Sequence, residues 1–240
     1  MIMCYHTSTA DEEKLREFLH EYDIVNYAFY YHVSGFEHKY LPVTIHTEPR
    51  KIQPAIWGLV PGNIQTSQQA KEIADMTLNA KAETVFERPA YKNYIGQNRC
   101  LIWVDGFYEW QWRDKGKNKV PHYIYMPNHI PFSIGGVYST WVRPDTGEVM
   151  LTCSIITTEA NGLLSEIHNN KKRMPLIIPA DKRDKWLGKL TKEEITDMMQ
   201  PYPDGVLQAH PVSKLISRFN QGVDTNIPEI QQAEQTDTLW

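Results

Sequence analysis

Cysteine is scarce in these 240 residues: there are three, at positions 4, 100 and 153, and no CxxC pair or Cys/His group at ligand spacing. An odd, scattered set of thiols argues against a disulfide framework and against a structural zinc site. Nothing approaches about 18 uninterrupted apolar residues, the length that would suggest a membrane span. The opening turns acidic at Asp11, Glu12 and Glu13, with no basic segment leading into an apolar one, so no secretory leader is expected. There is no surplus of positive charge either. A formal net charge of −4 removes any global attraction for nucleic acid and leaves such binding to a local patch. Long Ser, Gly or Pro tracts and internal repeats of roughly 20 to 50 residues are also missing. A soluble, cytoplasmic protein is expected, with one domain over 1–226 and a polar, loosely attached tail over 227–240.

What is present alternates between short amphipathic helices and apolar runs. STADEEKLREFLHEY (8–22) sets Leu15, Phe18, Leu19 and Tyr22 on one helical face, with Thr9 and Glu12 spaced as a capping box. A second helix is expected from Thr66, with Gln69 three residues on and Ala70, Ile73 and Ala74 facing inward. Shorter helices fit 161–168, 179–188 and 191–199. Strands are expected at 52–57, 99–112, 122–126, 132–142, 148–158 and 174–179. Four of them follow one another across 99–158 with short turns between, as in an antiparallel meander. Clustered strands flanked by helices point to an α+β fold with a curved, barrel-like and mainly antiparallel core. Cys100 and Cys153 lie in apolar runs and read as small buried hydrophobes.

Four segments carry polar groups suited to chemistry. In GFYEWQW (106–112) Glu109 stands between Tyr108 and Trp110. On a strand it shares a face with Phe107 and Gln111, either reaching solvent or losing hydration and gaining a raised pKa useful for proton transfer. In LNAKAETV an extended chain projects Asn79, Lys81 and Glu83 together, as an anion site or as a solvated face. SEIHNNKKRMP ends a helix at His168 and then presents Lys171, Lys172 and Arg173, a phosphate-binding run or an exposed loop. Cys4, in MIMCYH, has no apolar neighbourhood to explain it.

Taken together, Cys4, NAKAET, CLIWVDGFYEW, RMPLIIP, HPVS (210–213) and WGLVPG (57–62) resemble, in order and spacing, the SOS-response-associated peptidase (SRAP) family of abasic-site processing proteins. The resemblance spans about residues 4 to 220. It implies a protein that binds single-stranded DNA at an abasic site and crosslinks to it through an N-terminal cysteine, nucleoid-associated when bound. No cofactor, metal, membrane or obligatory protein partner is implied. Carried over by position, Cys4 would be the nucleophile once residues 1–3 are removed. Asn79 would orient it, Glu109 would transfer protons, and His168 would assist imine formation and its reversal. His6, Lys81, Lys171, Lys172 and Arg173 would face DNA.

The chain departs from the family pattern in four places. Lys81 replaces the usual arginine and loses its bidentate fork for phosphate. Tyr5 and His6 replace Gly and Arg after the cysteine, and Asn63 and Ile64 stand where a tryptophan is common. His-Asp-Arg-Met-Pro is expanded to HNNKKRMP. A cysteine-nucleophile peptidase or amidohydrolase, and a non-catalytic single-strand-binding module, are the competing readings. Weak lyase and self-processing activities would accompany the crosslinking reading.

Overall fold

A computed structural model describes residues 4–234. Five strands close into a barrel: β1 (Tyr40–Ile45), β2 (Glu48–Trp57), β3 (Arg99–Arg113), β4 (Phe132–Val142) and β5 (Val149–Glu159). Around the ring β1 pairs with β2, β2 with β5, β5 with β4, β4 with β3, and β3 with β1. Only the β2–β5 pairing, Thr152 to Ile56 and Cys153 to Trp57, is parallel. The mixed α+β, barrel-centred architecture agrees with the sequence reading.

The barrel interior is filled from alternate strand positions, among them Leu41, Val43, Ala55, Trp57, Cys100, Ile102, Val104, Ile134 and Cys153. A second apolar layer, including Leu15, Leu101, Trp103, Val137, Ile156 and Trp186, lies outside the wall, where the helices cover it. Arg99 is also fully buried. Its guanidinium donates to the carbonyls of Ile95, Gly96, Trp186 and Gly188, which compensates the loss of water.

The expected meander is only half right. β3 and the strand Asn118–Tyr125 form a hairpin, and so do β4 and β5, but 118–125 and β4 lie end to end along the same edge of β3. Gly106 faces Tyr125 and Val104 faces Phe132, so one 15-residue strand serves two partners. Its second half overhangs the barrel and carries the DGFYEW segment.

The opening also differs. His6–Thr9 is a strand against β3, and the helix begins only at Glu12, capped by Asp11 rather than Thr9. The helix Ser67–Met76 has its expected Thr66 cap, 3.2 Å from the Gln69 nitrogen. The tail is not loose over its described part. Ile230 is buried against Tyr108 and Tyr123, the Glu234 N–H donates to the Pro211 carbonyl, and the Gln231 carbonyl lies 2.7 Å from His210. Residues 1–3 and 235–240 lie outside the described residues.

Candidate active site

The overhanging half of β3 is fixed from both edges. Thr7 pairs with Phe107 and its hydroxyl donates to the Gly106 carbonyl. On the other edge Glu109 pairs with His122. A Cβ on Gly106 would meet the Tyr123 ring at 2.4 Å and the Ile124 carbonyl oxygen at 2.6 Å, so only glycine permits this approach. Asp105 is structural: its carboxylate accepts from the Asp11 N–H and from Lys14, tying the first helix to the strand.

This pairing brings Cys4 to Glu109. The cysteine is 2% exposed and Glu109 1%, and the thiol sulfur lies within 4.8 Å of the carboxyl. The third member arrives from the far end of the fold. The helix Gly162–Ile167 ends at His168, which is 3% exposed and whose Nδ1 lies 3.5 Å from the Glu109 carboxylate and 2.9 Å from the Arg173 carbonyl oxygen. Asn169 holds the following turn on β3, accepting from the Trp112 N–H and donating to the Trp112 carbonyl. The extra residues of HNNKKRMP are absorbed here. The His168 carbonyl accepts from both Lys171 and Lys172, and Lys172 takes a left-handed conformation (φ 52°). Asn79, on the short strand Asn79–Lys81 beside β5, donates its amide to the Cys4 carbonyl at 3.2 Å.

Burial dominates the electrostatics. It pushes the Cys4 thiol well above its ordinary value, and the negative charge of Glu109 pushes the same way. Burial also raises the Glu109 carboxyl, against the opposing pull of His168 and the Cys4 thiol. Burial therefore shifts both groups toward retaining their protons, and an ionised Glu109 is placed to take the thiol proton. Thiol, carboxyl and imidazole offer ligand atoms within 4.8 Å of one another, but a cation needs the anions that this burial disfavours.

The expected DNA-facing residues divide. Lys81, Lys171 and Lys172 are exposed. Lys81 lines a groove of about 650 Å³ with Asn79, Thr84, Arg88, Tyr91 and Ile64. Arg88 and Tyr91 were missed in the sequence because ERPAY carries no periodic signal; the Tyr91 hydroxyl donates to the Asn79 carbonyl. Arg173 is not a free cation. It pairs with Glu83 and donates to the Thr157 carbonyl, because Glu83 turns out of the extended run into a 3-10 turn, Ala82–Thr84. His6 is not surface-facing either: it is buried, 2.9 Å from His32 Nε2, and burial pushes its imidazole well below the ordinary value.

Residues 3–219 match the family profile described as SOS response associated peptidase (SRAP). The chain belongs to the SRAP family. Among relatives of this SRAP domain, the abasic site processing protein YoqW of Bacillus subtilis is 33% identical over 163 residues, 67% of this chain and 69% of its own. HMCES of Pongo abelii, an abasic site processing protein, is 30% identical over 209 residues, 75% of this chain but 56% of its own. A solved protein from Bacteroides thetaiotaomicron superposes with a TM-score of 0.84 at 33% identity, covering 96% of this chain and all of that one. A Bordetella bronchiseptica protein, at TM-score 0.74 and 22% identity, shares the fold over 88% of this chain and all of its own. Among the described residues no helix is long and apolar enough to cross a membrane.

Proposed function

We propose that this protein captures abasic sites in single-stranded DNA as a covalent thiazolidine on Cys4, after removal of residues 1–3. The reading is carried by the buried meeting of Cys4, Glu109 and His168, joined through Asn79 to the Lys81 groove. Relatives named abasic site processing proteins support the substrate class.

An abasic deoxyribose equilibrates with its open-chain aldehyde. The freed Cys4 amine adds to the aldehyde carbon, and the carbinolamine loses water to give an imine. The thiol then adds to the imine carbon: the new C–S bond closes a five-membered ring and the thiol proton passes to the nitrogen, so one water is released overall. Closure within one residue gains the effective molarity of an intramolecular step. An amine with a reference pKa of about 7.7 to 8.0 has a useful neutral fraction near neutrality.

Proton traffic falls to the two buried partners. Glu109, raised by burial, holds a proton for the sugar ring oxygen and for the departing hydroxyl, and as a carboxylate it accepts the thiol proton while sulfur attacks. His168 is the second carrier, in imine formation and its reversal. Lys81, Lys171 and Lys172 neutralise the backbone. An imine that persists permits β-elimination of the 3′ phosphate, a weak lyase activity. Residues 1–3 leave by self-cleavage or by initiation at Met3 with methionine removal.

The test compares a chain verified by intact mass to begin at Cys4 with one retaining Met1 to Met3, each incubated with abasic single-stranded DNA. A heat-stable, Cys4-dependent adduct is expected from the first alone. Equal adducts from both would overturn the amine mechanism, and adducts from neither would favour a non-catalytic binding module.

A further inference from the structure

Beside the site lies a buried polar chain that the proposed chemistry leaves unused. His6 Nδ1 lies 2.9 Å from His32 Nε2, and His32 Nδ1 lies 2.7 Å from the Thr225 hydroxyl. All three residues are buried, and the two imidazoles lie nearly parallel, with centroids 5.2 Å apart and 11° between their planes. Aromatic edges close the chain in. Trp110 and Phe219 meet His6 at 4.7 and 5.0 Å, and Tyr108 meets His32 at 5.4 Å. Burial keeps both rings neutral, His32 down to about 4, so each can bridge as one donor and one acceptor.

Each end of this chain has a mechanical consequence. His6 follows Cys4 by two residues and touches Trp110, the immediate neighbour of Glu109. Thr225 opens the C-terminal segment, which grips the same loop at further points. Asn226 accepts from the Tyr31 N–H, and the Tyr31 carbonyl accepts from the Tyr108 hydroxyl and from Gln231. Ile230 packs beneath Tyr108. The matched family region ends at residue 219, before Thr225. His6 stands where the family pattern has arginine; its own partner is His32, and the tail enters one step further along, where Thr225 meets His32.

We propose that Thr225, His32 and His6 form a positioning relay through which the C-terminal segment sets Cys4 against Glu109. None of the three touches the reacting atoms. With the Thr225 hydroxyl removed, His32 loses its fixed tautomer and the His6–His32 bond loses its direction. The strand carrying Cys4 then samples positions displaced from the carboxyl. The inference rests on Cys4 being the reacting residue.

The test uses the full chain freed of residues 1–3, as wild type, Thr225→Val and Thr225→Ser. Valine keeps the shape and removes the hydroxyl, while serine restores it. Thr225→Val is expected to slow adduct formation at saturating abasic DNA by the order of ten- to a hundredfold, the scale set by small misplacements of reacting groups. Its affinity for intact single-stranded DNA should stay within about twofold, since the Lys81 groove is untouched. Thr225→Ser should recover the rate. Side-chain 15N NMR of wild type should show one fixed tautomer at each ring and a coupling across the His6–His32 hydrogen bond, lost in Thr225→Val. Alkylation of Cys4 by iodoacetamide, which needs neither the amine nor DNA, should rank the variants in the opposite order, faster in Thr225→Val than in wild type or Thr225→Ser, because a displaced thiol escapes the burial and the Glu109 charge that suppress its thiolate. A wild-type adduct rate in Thr225→Val, or no such coupling in wild type, would overturn the relay. Absence of adducts from wild type with the alkylation ranking intact would overturn the crosslinking reading alone.

Discussion

Replacing Glu109 with glutamine should damage activity and improve stability together. The substitution keeps the shape of a buried side chain and removes its titration. Because burial raises the folded carboxyl above its unfolded value near 4.3, the group's contribution to stability is fully present below that value. It is lost as pH rises through the raised folded value. Each unit of the raise corresponds to about 1.36 kcal/mol lost at neutral pH. Glutamine has no such loss, so the variant should be more resistant to urea than wild type at pH 7, with the difference shrinking towards pH 4. The catalytic effect runs the other way, since general acid–base groups contribute about 10²- to 10⁴-fold. The assay pairs single-turnover adduct formation from pH 5 to 8 with urea unfolding over the same range. An unchanged rate across that range would remove Glu109 from the mechanism. A variant less stable than wild type at pH 7 would refute the account of a carboxyl held against its solvation.

The remaining predictions concern the surroundings of the site. Lys81→Ala should weaken binding to many single-stranded sequences alike and reduce the salt slope by about 0.7, one phosphate's share on a single strand; an unchanged slope would show that Lys81 touches no phosphate. Arg173→Met should lower the melting temperature and the adduct rate, through loss of its Glu83 and Thr157 partners, while leaving the salt slope as in wild type. A fallen slope would instead mean that Arg173 contacts DNA. Gly106→Ala, forced against Tyr123 and Ile124, should cost about 3 kcal/mol, the upper range for overpacking. Urea unfolding reads this directly, and a loss under about 1 kcal/mol would show that the two strands can separate.

Where the sequence was legible, a periodic signal lay on one element. β4 runs from Phe132 to Val142 as the apolar segment suggested, and Thr66 caps its helix because the accepting hydroxyl and the Gln69 N–H that donates to it are three residues apart. HTST (6–9) was misread because all four residues are polar yet buried. Their hydroxyls find the Gly106 carbonyl, the Tyr123 hydroxyl and the Tyr30 N–H, none of them near in sequence. The same distance misplaced His6: its partner is 26 residues away and the next is 193 beyond that, so a buried bridge read as a DNA-facing side chain. Cys4, Glu109 and His168 were recoverable as a set by resemblance alone, since nothing in their local segments says that an overhanging strand brings them together. Ile227 and Ile230, three apart in a polar tail, were the faint sign that it docks.

The order of synthesis gives the burial of Cys4 a temporal meaning. Chains emerge from their N-terminus, so Cys4 is made before Asn79, Glu109, His168 and Thr225. Until the last of them has left the ribosome there is nothing to enclose the thiol, and an enzyme trimming the residues ahead of it meets an open chain. After assembly the cysteine is 2% exposed, and that access narrows sharply. Under the proposed mechanism, whether a given molecule becomes competent is thereby a contest between trimming and folding. Slowing the early removal of methionine in the cell should leave a fraction of fully folded protein that stays inert.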